Sequence, residues 1–173
     1  MTRVLTLAGA AVLTLGFAAE AQAQNPLSAG AKRTYDIIKG YVTRAAEKMP
    51  EEHYTFKASP DVRSFGQLVG HIADANFMFC GAAAADKPTP PGAEKSKTTK
   101  ADLQKALAES FAYCDKAHAA MTDAAGAETV KFFAGDMAKL SILEFNTHHD
   151  FEHYGNMVTY MRIKGIVPPS SEK

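Results

Sequence analysis

Apolar residues recur along this chain at three- and four-residue spacings, the period of a helix, and no run alternates apolar and polar positions for long. From about Leu27 to Met49, one stripe carries Ile38, Tyr41, Val42, Ala45 and Met49, and Pro50 closes the segment. A second helix is predicted to open at Ser64, with Gln67 three residues on in the pattern of a capping box. Its stripe is Phe65, Leu68, Val69, Ile72, Asn76 and Phe79, and it fades in the alanines 82–85. A third starts near Thr99, a good N-cap, and buries Leu103, Leu107, Phe111, Cys114, His118 and Met121. The fourth runs from about Lys139 to Lys164, with Gly165 suited to its C′ position and Pro168-Pro169 beyond.

Four amphipathic helices predict an all-α fold, a four-helix bundle. The connections 50–63 and 86–98 are long for hairpins. At roughly 3.3 Å per residue, thirteen residues reach about 43 Å, more than the roughly 33 Å of the second helix. Crossover connections are therefore affordable in length. Residues 126–136 read as a linking stretch, with Val130, Phe132 and Phe133 tucked against the bundle.

Residues 1–23 have a different pattern. Arg3 precedes an apolar run, Val4 to Ala19, too short to span a bilayer, and Ala21-Gln22-Ala23 is a small-x-small cleavage pattern. This reads as a signal peptide. The expectation is a secreted or periplasmic protein beginning near Gln24, with residues 24–173 as one domain and no membrane association after cleavage. Lys and Arg number 19, as do Asp and Glu. That balance disfavours nucleic acid as a partner. A homodimer through an exposed bundle face is compatible with the pattern. In an oxidising compartment Cys80 and Cys114 are free to pair. They sit at one level if the second and third helices run parallel, and about 15 Å apart if those helices form an antiparallel hairpin.

The chemistry concentrates in Asn146-Thr147-His148-His149-Asp150-Phe151-Glu152-His153. His149 and His153, four apart, share a helix face and have the spacing to grip one metal ion. His148 falls on the polar side, and Asp150 and Glu152 are expected to face solvent or a neighbouring helix. A third ligand must come from elsewhere: His71 lies on the edge of the second helix's stripe, and His118 is either an alternative ligand or a satisfied core residue. His53, in a polar linker, reads as exposed. Hydrogen-bonded core histidines are the bland alternative for the whole set. No Ser-His-Asp order, phosphate loop or dinucleotide fingerprint is present.

Ser64-Phe65-Gly66-Gln67-Leu68-Val69-Gly70-His71, then His149-Asp150-Phe151-Glu152-His153, then Tyr160-Met161-Arg162-Ile163-Lys164-Gly165-Ile166-Val167-Pro168 together resemble the DinB family. The resemblance covers essentially all of residues 24–173. It implies a four-helix bundle of unusual connectivity, and a metal triad of His71, His149 and His153. The family includes thiol-dependent transferases and isomerases, and many members without a known reaction. A Gly-Gln pair often follows the last histidine; here Gly155-Asn156 puts Asn156 in the amide position, which puts any substrate contact of the usual glutamine in doubt.

Three neutral imidazoles leave at least one position open on a divalent ion, for water or a thiolate. Zinc is the default, with nickel, iron or manganese as alternatives. The expected function is a metal-dependent enzyme, of hydrolase or thiol-transferase type, on an unknown small molecule. A non-catalytic metal-binding or stress-related module and a purely structural bundle are the competing readings. Asp74, Asn146, Asn156 and Tyr160 are the candidates to orient the ligand rings.

Overall fold

The computed structural model describes residues 25–173; the signal peptide expected over 1–23 lies outside the described residues. Six helices follow in order: α1 (Pro26–Lys48), α2 (Phe65–Ala83), α3 (Ala93–Ser96), α4 (Lys100–Ala120), α5 (Asp123–Ala127) and α6 (Lys139–Ile163). A small hairpin, β1 (Thr129–Phe132) with β2 (Gly135–Ala138), sits between the last two.

The helix ends follow local chemistry. Ser64 Oγ accepts from the Gln67 amide at 3.2 Å, and Gln67 Oε1 accepts from the Ser64 amide at 2.9 Å, closing the capping box of α2. Thr99 Oγ1 accepts from the Asp102 amide at 3.1 Å and caps α4. Past α6, Gly165 takes φ +72° and the Ile166 amide donates back to the Met161 carbonyl at 2.9 Å, a Schellman closure.

The four long helices pack around one core. α2 lies against α4 and α6, and α1 against the same two on the other side. Helix directions follow from the pairs that meet. Asn76 meets Ser110 and Cys80 meets Cys114, both 34 residues apart, so α2 and α4 run parallel. The sequence separation shrinks from His71–His149 to Asn76–Asn146, so α2 and α6 are antiparallel. Parallel neighbours force the chain after α2 back along the length of the molecule, and residues 84–99 make that return.

The returning chain presses α3 onto α2. A Cβ on Gly70 would stand 2.6 Å from the Glu94 backbone nitrogen, and one on Gly81 2.5 Å from Pro88 Cδ. Asp74 accepts from the amides of Ala93 and Glu94 at 2.8 and 3.0 Å, pinning the start of α3. Gly70→Ala gains about 1 kcal/mol of helix propensity, but it pushes backbone against backbone, an overpacking cost of about 1–3 kcal/mol. The expected outcome is a loss of up to about 2 kcal/mol in urea unfolding, with α3 lifted from α2.

The hairpin departs from the all-α expectation. Its two-residue turn places Phe133 at φ +50°. Phe132 is buried and Val130 half-buried, as expected, but Phe133 is 71% exposed rather than tucked in. Phe133 sits in the turn itself, and its ring rests on the outer side of the Phe132 ring, with centroids 4.1 Å apart, at the solvent edge of the aromatic cluster.

Candidate metal centre

α2 and α6, antiparallel and tied by Asn76 and Asn146, bring His71, His149 and His153 together. His149 Nε2 lies 3.2 Å from His71 Nε2 and 3.0 Å from His153 Nε2. Each residue offers one ligand atom, and these lie within 4.8 Å of one another. Zinc–nitrogen bonds of about 2.0–2.1 Å, with angles between a right angle and tetrahedral, separate nitrogens by roughly 2.8–3.4 Å. The donor set therefore fits a divalent ion.

The protonation states fit as well. His71 Nδ1 donates to Glu94 Oε2 at 2.8 Å, which leaves the Nε2 lone pair free to face the other rings. Burial holds the His71 ring below its usual pKa, against the hydrogen bond to Glu94. His153 is pushed down to about 3, by burial first and then by its two histidine neighbours. Burial works to raise the Glu94 carboxyl, but hydrogen bonds from Arg63 and His71 outweigh it and hold it below the usual range. Arg63 Nε binds the other Glu94 oxygen at 2.8 Å, and Tyr160 donates to the Arg63 carbonyl at 2.7 Å.

None of the four expected orienters bonds a ligand ring. Asp74 holds the start of α3 instead. Asn146 donates to Asn76 Oδ1 at 3.0 Å inside a buried network that continues to Ser110. Tyr160 holds the Arg63 backbone, and Asn156 is exposed on a groove. The residue that does the orienting is Glu94. It lies in the connection read from sequence as an irregular break, where periodicity assigns no facing. Asp74 acts one step removed, by seating the turn that carries Glu94.

The remaining sites sort by burial. His148 is exposed, as expected, and Glu152 is exposed on the groove rim. Asp150 turns wholly inward, with no exposure, and burial pushes its carboxyl up to about 6 against the pull of His149. His118 lies outside the cluster, a core histidine stacked on Tyr35 with ring centroids 4.1 Å apart. His53 is half-buried rather than exposed, because the turn Glu51–His53 folds it back toward the protein.

His153 opens onto a groove of about 740 Å³, lined also by Lys57, Arg63, Gln67, Glu94, Asn156 and Tyr160. On the other side, the His149 ring packs against Phe79, with centroids 5.3 Å apart, and Phe79 in turn meets Phe132 and Phe145. The centre thus lies between a polar groove and an aromatic wall.

A family profile, that of the DinB superfamily, matches residues 37–157, from α1 through most of α6. The chain belongs to the DinB superfamily. Solved structures share the fold at low identity. A DinB-like protein from Bacillus cereus ATCC 10987 is 17% identical with a TM-score of 0.72, over 84% of this chain and 97% of that one. A conserved protein from Enterococcus faecalis is 16% identical with a TM-score of 0.64, over 77% and 94%. A mycothiol-dependent maleylpyruvate isomerase is 15% identical with a TM-score of 0.63; the match covers 76% of this DinB chain but only 60% of the isomerase. Among curated proteins none matches.

Proposed function

We propose that this DinB protein is a metal-dependent enzyme that acts on a small molecule, with a low-molecular-weight thiol as co-reactant. One observation carries the reading: three imidazoles meet where a solvent-open groove ends, with His149 Nε2 about 3 Å from Nε2 of each of the other two. His71, His149 and His153 would hold one divalent ion, zinc in the first instance. Such an ion, when bound, supplies Lewis acidity and lowers the pKa of water or a thiol at its open position.

The protein's own groups do the rest. Glu94 fixes the tautomer and direction of the His71 ring, and Arg63 fixes Glu94. Lys57, Gln67 and Asn156 offer a cation and two amides along the groove, suited to the carboxylate and amide groups of a small polar thiol. The aromatic wall of Phe79 keeps water from the back of His149. The likeness to an isomerase named as mycothiol-dependent supports the thiol.

The test uses untagged protein loaded with zinc. Near-stoichiometric zinc is expected, together with thiol consumption when a small electrophile and a low-molecular-weight thiol are supplied. Binding without turnover would favour a non-catalytic metal module. Ester or amide cleavage without thiol use would favour a hydrolase. Only trace metal in the wild type would end the proposal. Within the same assay Glu94→Ala should weaken zinc affinity about 10–100-fold, the usual cost of losing a carboxylate behind a ligating histidine. Chelator competition measures it, and unchanged affinity would remove Glu94 from the site.

We also propose export, to the periplasm or beyond. The Cys80–Cys114 disulfide supports it, since structural bridges persist in oxidising compartments. Fractionation of cells expressing the full chain tests it, with a shortened mature form expected outside the cytoplasm.

A further inference from the structure

Asp150 is a fully buried carboxylate on the inner face of α6, and neither of its oxygens has a hydrogen-bond partner among the described residues. The neighbouring His149 Nδ1 is likewise buried without a partner, 3.9 Å from Asp150 Oδ1. Two orphaned polar groups side by side are an unusual thing for a core to keep. An unpaired buried charge costs several kcal/mol, and an apolar residue of like volume would pack there without that cost. A group retained at such expense needs a reason other than stability.

The three-histidine centre supplies the reason. Its ligands are all neutral, so an ion there brings two positive charges that the ligands themselves do not offset into a half-buried site. His71 already backs onto a carboxylate, Glu94, at 2.8 Å. We propose that Asp150 does the same for His149: it is a positioning residue that receives the Nδ1–H, turns Nε2 toward the other two rings, and offsets the charge of a bound divalent ion. The 3.9 Å separation is less than about 1 Å beyond hydrogen-bond range, with no other partner competing for either group among the described residues. This rests on the metal reading above.

Asp150→Asn keeps the shape and removes the charge; Asp150→Ala removes the charge and the carboxyl group together. Both are tested as untagged protein, with zinc affinity from chelator competition and melting temperature with and without zinc. The visible spectrum after loading with cobalt is a third readout. Asp150→Asn is expected to melt no lower than wild type without metal, to bind zinc about 10–100-fold more weakly, and to shift the cobalt bands. Asp150→Ala should show the same loss of affinity. A variant that melts lower without metal yet binds zinc as wild type does would overturn the proposal and make Asp150 structural. Wild type that takes up zinc through His149 while both variants match it would sink Asp150 alone. Wild type that takes up no zinc would sink the metal reading beneath it.

Discussion

Replacing His149 with alanine should erase the thermal stabilisation expected from zinc on the proposed reading, while leaving the metal-free protein nearly as stable as before. A ligand that binds only the folded state stabilises it by about 4 kcal/mol at a thousand times its dissociation constant. For a domain of this size each kcal/mol moves the melting temperature by about 2–4 °C, so the wild type should gain roughly 8–16 °C. His149 is the right residue to remove because its Nε2 stands between the other two. Without it, His71 and His153 lose the ring that both of them approach. The metal-free cost should be small. The ring is partly exposed and its Nδ1 has no partner among the described residues, so the loss is its packing on Phe79 and its Nε2 contacts with two other half-exposed or buried rings. His148→Ala, next door but exposed, is the control and should keep the full zinc increment. Equal increments in all three proteins would show that zinc binds elsewhere.

Helix ends and the histidine pair are legible because both are local. A capping box is four consecutive residues, and an i, i+4 pair shares a face whatever the helix packs against. What decides the rest is non-local. Asp74 lies on α2 near His71, which made it a reasonable candidate to bond a ligand ring, yet backbone amides 19 and 20 residues later claim its carboxylate. Glu94 was invisible for the complementary reason. Its place depends on how the return segment lies on α2, and that depends on Gly70 having no side chain where α3 crosses it. Asn146 shows a third kind of failure. Its sector is interior, as the periodicity indicates, but three helices meet there and the nearest amide partner, Asn76, wins over the histidine rings. His71 is placed in the triad by family resemblance, since its position on the edge of the α2 stripe leaves its direction open.

The sequence also left the direction of α4 relative to α2 undecided, and the disulfide depends on that direction. Cys80 and Cys114 are bonded with Cα atoms 5.3 Å apart, both sulfurs fully buried. The two helices are parallel, so their cysteines fall at one level. Cross-linking residues 34 apart should contribute about 3–4 kcal/mol, chiefly by restricting the unfolded chain. Replacing both cysteines with serine is therefore expected to lower the melting temperature by roughly 6–16 °C. The fold itself should survive, because α2 and α4 keep the Asn76–Ser110 contact and the apolar packing around it. Zinc affinity should change far less than stability, since neither sulfur belongs to the histidine cluster. Reductant alone should act slowly on the native wild type, because a fully buried bridge is reached only through opening of the structure. Thiol counting decides the matter. Oxidised protein denatured without reductant should show no free thiol, and two would mean that the bridge does not form.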